Sequence, residues 1–278
     1  MYSEYRTLQY GVAWQTRTMR LFPTVDPSLP TGFQGYSAPL GGFVYDSGVT
    51  GAYIIQSVSG GGFSAPLTRD SGIHIDYLNG RVLVPKSLGT DMVLTGTASV
   101  PDFRFYQPNE SEAQVITQNK YFVNPRYVYP LSTSGLPPNI ISTPAVFINP
   151  LTVKNDPFEF GGRIVTKTTF SMTVFAESNA QLNAMLGLWA DARYQYYPQL
   201  NTISDPIDQW GDTKGGTGWN YLSYVATYGQ QGNLVYIDNV HTSKVSDKVR
   251  VNPQLFVGII DVDTEYVRQS PLGTNIFV

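Results

Sequence analysis

Short β-prone runs separated by turn residues constrain this chain more than any other feature. From Gly42 onward GFVYDS, GAYIIQSV, GIHIDYL, RVLVP and DMVLTGTASV follow one another, punctuated by Gly, Pro, Asn and Asp. Runs this short build a meander, sandwich or barrel, because each ends before a helix could nucleate and each break favours a turn. FRFYQ continues the pattern with aromatic and polar residues alternating. The 26 glycines and 19 prolines supply the breaks, and the 19 tyrosines suit a pleated, half-buried surface.

The second half adds one strand-to-helix signal. RIVTKTTFSMTVFA (163–176) alternates, with Ile164, Phe170, Met172 and Val174 on one face, and predicts a half-buried strand. It runs into ESNAQLNAMLGLWADARYQYYP, where Ser178 and Gln181 have capping-box spacing. Leu182, Met185, Leu186, Trp189, Ala192 and Tyr196 then recur at three- and four-residue spacing, predicting one amphipathic helix over 178–197 closed by Pro198. YLSYVATY, NLVYIDNV and QLFVGIIDVDTEYV are again β-prone. The expected fold is therefore α+β and predominantly antiparallel β, sandwich or barrel-like, with a single main helix. Its expected organisation is an N-terminal element and extended arm (1–40), a β-rich region (41–130), an irregular linker or long loop (131–162) and a strand–helix–strands region (163–278), compatible with one compact domain.

GIHIDYLNGRVLVP (72–85) contains a His/Asp pair that invites a catalytic reading. Asn79-Gly80 between two β-prone runs is a strong hairpin signal, since a two-residue turn needs positive φ at both positions. Such a turn sets Leu78 opposite Arg81, Tyr77 opposite Val82, Asp76 opposite Leu83 and Ile75 opposite Val84. Ile73, Ile75, Tyr77, Val82 and Val84 then share an apolar face, and His74, Asp76, Leu78, Arg81 and Leu83 the other. Asp76 and Arg81 become diagonal neighbours, a surface ion pair worth at most ~1 kcal/mol. Successive same-face residues on a strand do not make a nucleophile–base pair, so the hairpin is structural.

Asp261, Asp263 and Glu265 alternate in FVGIIDVDTEYV and project three carboxylates to one face of a strand. The stretch resembles the D-x-D-x-E end of the family 18 chitinase motif, in which the glutamate is the general acid. Gly258 and Ile259 replace that family's leading Asp-Gly pair, and Thr264 stands where it usually has tryptophan. An eight-fold strand–helix barrel also needs far more helix than the one visible here. A solvated acidic edge strand is the plainer expectation, and a Ca²⁺ site would need further oxygen ligands. GDTKGGTG (211–218) lacks the order of a phosphate loop and reads as an exposed, flexible loop. Arg193, Tyr194, Gln195, Tyr196 and Tyr197, with Trp189, Trp210 and Trp219, offer a sugar-stacking platform, although the helical stripe places half of them in the core. His241 has no neighbouring Cys or second His for a metal, and Asn109-Glu110-Ser111 is a glycosylation sequon only in a secretory route. No catalytic, cofactor-binding or metal residue is assigned, and no cofactor is expected.

Composition narrows the function further. The net charge is −3, and Lys and Arg form no cluster of the kind that sequence-independent nucleic-acid binding requires. Charged residues are 14% of the chain against ~25% in ordinary soluble domains, a depletion that suits a subunit buried in an assembly. There is no cysteine, hence no disulfide or thiolate chemistry. MYSEYRTLQYGVAWQ does not read as a signal peptide, and no apolar run is long enough for a membrane span.

Two stretches carry a family resemblance. GIHIDYLNGRVLVP resembles hairpins in structural proteins of tailed-bacteriophage virions, and RIVTKTTFSMTVFAESNAQLNAMLGLW resembles the strand–helix segment of phage neck or tail-completion subunits. The resemblance implies a structural subunit without catalysis, assembled into a homo-oligomeric ring of six or twelve at the neck or head–tail connection. Its implied partners are itself and neighbouring neck, portal or tail proteins, with no membrane and no specific nucleic acid. Its implied location is the virion, after assembly in the host cytoplasm. Residues 1–40, 131–162 and 201–220 are the expected contact segments. The alternatives are a carbohydrate-binding β-module and a glycan hydrolase using Asp261, Asp263 and Glu265.

Overall fold

A computed structural model describes residues 14–24, 29–38, 42–49, 51–60, 63–66, 72–89, 92–101, 103–106, 121–122, 141–157, 164–198, 206–214, 219–228, 234–245 and 255–268. The chain is mostly antiparallel β, arranged in two large sheets, as its punctuated runs require.

The first sheet holds β1 (Trp14–Thr24), β2 (Phe33–Ser37), β3 (Ser57–Gly60), β4 (Phe63–Pro66), β5 (His74–Asp76), β6 (Arg81–Pro85) and β7 (Leu94–Pro101), in the order β4-β3-β7-β1-β2-β6-β5. β1 is its hinge. Residues Trp14 to Leu21 pair with β7, and Phe22 to Thr24 with β2. The sheet curls enough that Val58 and Leu94 from one end share a core with Ile75, Val82 and Val84 from the other. This corrects the expected N-terminal arm, because β1 and β2 lie in the middle of the sheet. GFVYDS forms no strand: Asp46 bridges to Trp219, and the N–H groups of Phe43 and Val44 donate to the carbonyls of Tyr77 and Ser99, while GAYIIQSV enters the sheet only from Ser57.

The second sheet begins with β8 (Arg104–Tyr106). β9 (Tyr121–Phe122) and β10 (Ile141–Ser142) pair separately, and the sheet resumes with β11 (Ala145–Pro157) and β12 (Ile164–Ala176). Helix α1 (Asn179–Ala190) follows, then β13 (Tyr196–Pro198), helix α2 (Tyr221–Tyr228), β14 (Leu234–Lys244) and β15 (Phe256–Arg268). The strand order is β13-β14-β15-β12-β11-β8. Residues 145–157 of the expected linker 131–162 are the sheet strand β11.

Helix α1 packs on one face of this sheet. Leu182, Met185 and Leu186 meet Met172, Val174, Ile260 and Val262 in one buried cluster. Gly258 makes the approach possible, since a Cβ there would lie 2.8 Å from Leu182 Cδ1. The expected cap forms: Ser178 Oγ accepts from the Gln181 N–H, and Gln181 Oε1 accepts from the Glu177 N–H. Phe170, Met172 and Val174 face the helix as expected, but Ile164 is exposed beyond its reach.

Two helix expectations need correction. The first helix ends at Ala190 instead of running to 197. Tyr194 takes a left-handed φ of 66°, its N–H donates to the Ile237 carbonyl, and the Ile237 N–H donates to the Gln195 carbonyl. Strand pairing to β14 thus replaces further helical bonds, and Tyr196 leaves the predicted stripe for the surface. The second correction is YLSYVATY, which is α2 and not a strand. Asn220 caps it, its Oδ1 accepting from the Ser223 N–H, a local signal that overrides the β-prone composition.

Candidate functional surfaces

The hairpin at 72–85 keeps its expected faces but not its expected register. Asp76 lies directly opposite Arg81, Ile75 opposite Val82 and His74 opposite Leu83, leaving four residues in the turn. Asp76 causes the shift: its Oδ1 accepts from the Asn79 N–H at 3.0 Å and its Oδ2 from Asn79 Nδ2 at 2.8 Å. That Asx-type closure leaves only Gly80 at positive φ (62°). A slip of two residues preserves the facing of every side chain, so Ile73, Ile75, Tyr77, Val82 and Val84 all remain in the core. The Asp76–Arg81 pair is cross-strand and mostly buried, with Arg81 Nε 3.8 Å from Oδ2, and is not the surface pair expected.

A loop expected to be exposed covers the outer side of this hairpin. Within residues 206–214, the Gly211 carbonyl accepts from the Tyr77 N–H, and Asp212 Oδ2 accepts from the Ile75 N–H at 3.4 Å. The Trp210 ring stacks on His74 at 4.7 Å and 4°. His74 is thereby a docking surface for the loop. Burial pushes the Asp212 carboxyl up, against the backbone N–H groups of Thr213 and Ile75, which favour its ionised form. Residues 215–218 of the glycine-rich segment, and the sequon at 109–111, lie outside the described residues.

The three aligned carboxylates sit on β15, which is an interior strand flanked by β12 and β14, so the edge-strand expectation is corrected. Each faces a donor directly across β12. Ser171 Oγ donates to Asp261 at 2.6 Å, Thr169 Oγ1 to Asp263 at 2.7 Å, and Lys167 Nζ lies 2.8 Å from Glu265. Glu265 holds the Lys167 ammonium above its ordinary range. On the other side His241 is opposite Asp261. The row Ser171–Asp261–His241 places the carboxylate between hydroxyl and imidazole, whereas a proton relay to a serine needs the imidazole between. Among the described residues, no group of three or more His, Asp or Glu side chains is arranged to hold a metal ion. The ladder is a sheet device of cross-strand pairs.

Two aromatic features stand apart from this ladder. At the end of β13 and β14, Tyr194, Tyr236 and Tyr196 stack in a row, with centroids 6.4 and 4.8 Å apart. Arg193 lies 4.5 Å from the Tyr194 ring centroid, and Tyr194 and Tyr196 are 58% and 63% exposed. The second feature is a cavity of about 410 Å³ between the loop at Gly42–Val49, the hairpin tip, β8 and the start of α2. Tyr45, Phe105, Tyr106, Trp219 and Tyr221 wall it, and Asp46 and Arg104 carry its charges. Arg104 is almost wholly buried, and its Nη1 has no hydrogen-bond partner among the described residues. Burial lowers its pKa, while Tyr106 and the more distant Glu177 oppose that effect. The sequence carried one faint signal of this site, a single cation between two phenylalanines in FRFYQ.

The edges of the second sheet are the remaining surface. β8 pairs with β11 only at Ala145–Phe147, and β13 with β14 only at Leu234–Tyr236. Among the described residues, no strand pairs with the rest of either outer edge, and Leu151 and Val153 on β11 are 53% and 64% exposed. No helix among the described residues is long and apolar enough to cross a membrane. No protein family, no curated protein and no solved structure matches the chain.

Proposed function

We propose that this chain is a non-catalytic structural subunit of a tailed-phage virion, assembling side by side with copies of itself at the neck or head–tail connection. The observation that carries the reading is the pair of open edges on one sheet. A long edge strand with exposed apolar residues is a template for pairing with another chain. The β11 edge and the β14 edge are different surfaces, so a contact joining one to the other is heterologous and closes into a ring or grows as a filament. The neighbour at each edge is a second copy of this chain. The low charge and the abundance of tyrosine support the same reading, because interface cores lose charge and gain aromatics. The resemblance of GIHIDYLNGRVLVP and RIVTKTTFSMTVFAESNAQLNAMLGLW to phage structural proteins supplies the virion assignment.

Light scattering and negative-stain images of the purified full chain test it. Rings or short chains are expected, reduced to monomer by Leu151→Lys with Val153→Lys. A monomer at every concentration, unchanged by those substitutions, overturns the proposal. A second reading, a carbohydrate-binding β-module, is favoured by the exposed Tyr194–Tyr236–Tyr196 row, because sugar rings stack on such aromatic platforms. Loss of saccharide binding on Tyr196→Ala in a protein that stays monomeric would favour it over assembly.

A further inference from the structure

We infer that the cavity between β8 and the start of α2 binds an acidic saccharide, its carboxylate held by Arg104 and its ring lying on the aromatic wall. The site uses the edge strand β8 and not the unpaired stretches of β11 and β14, and the inference holds whether or not the chain assembles. A buried guanidinium is costly unless its donors are satisfied, and Arg104 Nη1 has no acceptor among the described residues. A planar fork of N–H donors matches a carboxylate in bidentate geometry. Nη1 is sealed from solvent, so the ligand carboxylate engages it after rotation of the terminal torsions of Arg104 toward the cavity that the residue already lines.

The rest of the lining selects the body of the ligand. Trp219, Tyr45 and Tyr221 present rings on one side, with Trp219 5.6 Å from Tyr221 and 6.0 Å from Tyr45. Phe105, 52% exposed, also lines the cavity. Such walls suit the C–H face of a sugar or a flat apolar ring. Asp46 decides between them. Its Oδ1 accepts from the N–H groups of Gly48 and Tyr221, and its Oδ2 has no hydrogen-bond partner among the described residues. A free carboxylate oxygen repels any acid, and only a ligand with hydroxyl groups to donate to it, as a sugar acid has and phenylacetate lacks, offsets that repulsion. The volume is within the ~300–1,000 Å³ typical of ligand pockets and has room for one or two sugar rings.

Isothermal titration calorimetry of the full chain with D-glucuronate, D-glucuronamide, D-glucose and phenylacetate separates the possibilities. Glucuronate should bind roughly ten- to a hundredfold more tightly than its amide, the span expected for a charge-assisted hydrogen bond. Arg104→Gln should abolish that preference, and Asp46→Asn, which removes the repelling charge, should improve phenylacetate binding relative to glucuronate. Should Arg104→Gln fold poorly, the acid–amide comparison on the unaltered protein and Phe105→Ala, at an exposed wall position, still decide the matter. Equal binding of acid and amide, no binding of either at millimolar concentration, or phenylacetate binding better than glucuronate would each overturn the inference.

Discussion

Gly211 closes on Asp76 so tightly that a Cβ at Gly211 would sit 2.6 Å from Asp76 Oδ1, and its φ of +83° already favours glycine. This contact clamps the 206–214 loop onto the outer side of the β5–β6 hairpin. Gly211→Ala should cost about 1–3 kcal/mol in urea denaturation, combining backbone strain with overpacking. Gly32→Ala is the control, because Gly32 has a φ of +92° with nothing within 4 Å. A Gly211→Ala cost no larger than that of Gly32→Ala would remove the clamp and leave only strain.

Asp76 serves the turn and the Arg81 pair together, so its removal takes away the acceptor of Asn79 and one counter-charge of a mostly buried Arg81. Asp76→Ala should destabilise by about 1–3 kcal/mol, the range for removing one partner of a largely buried hydrogen-bonded group. Asp76→Asn retains an acceptor for the turn and should cost clearly less. His74→Ala should alter the near-ultraviolet signal of Trp210, on which it stacks.

Tyr77 and Asp212 predict a pH dependence of one sign. Burial, with a smaller push from Asp212, raises the Tyr77 phenol far above its ordinary 10.0. A group whose folded pKa exceeds its unfolded value stabilises fully below the unfolded value and loses that contribution as pH rises through the folded one. Unfolding free energy should therefore fall above about pH 10, and Tyr77→Phe should remove that part of the fall. Asp212, raised mainly by burial from its ordinary 3.8, acts likewise at acid pH. Its contribution is present below the ordinary value and declines as pH rises through the raised one. Asp212→Asn should flatten the stability curve there, and an unchanged slope would contradict the burial.

Side-chain facing was more legible in the sequence than register. The apolar face of the hairpin followed from alternation alone, since a slip of two residues conserves it. The register did not, because Asp76 bonding to Asn79 competes with the two-residue turn that Asn79-Gly80 suggests. The α1 cap at Ser178 was readable because its partner is three residues away, whereas the end of α1 depends on Ile237, far along the chain. β1 was unreadable because WQTRTMRLFPT has little alternation, and its partners on β7 and β2 fix it. The cavity was likewise hidden, since Asp46, Arg104 and Trp219 meet only through tertiary packing.

The contact between α1 and the sheet offers a further test. At Gly258 an added Cβ would meet Leu182 at 2.8 Å and Leu186 at 3.2 Å, both from the buried face of the helix. Gly258→Val should cost about 1–3 kcal/mol through overpacking. Met185→Ala, which opens a void at the same interface, should cost about 2–5 kcal/mol. Combining Gly258→Ala with Leu182→Ala should recover part of the loss, because the two changes act on shared space.

The open edge of β11 carries the most direct consequence for assembly. Val153 lies on the part of β11 that no described strand pairs from outside, and its neighbour on β12 is Thr168. With 64% of Val153 exposed, Val153→Lys removes little packing within the subunit, and its thermal midpoint should hold. The same change places a charge on the edge that a second copy would cover, which opposes strand addition. Sedimentation of wild type and variant at matched concentration should then show a shift toward monomer without loss of fold. A variant that keeps its oligomeric state would move the interface away from β11, and one that unfolds would show that Val153 supports the subunit itself.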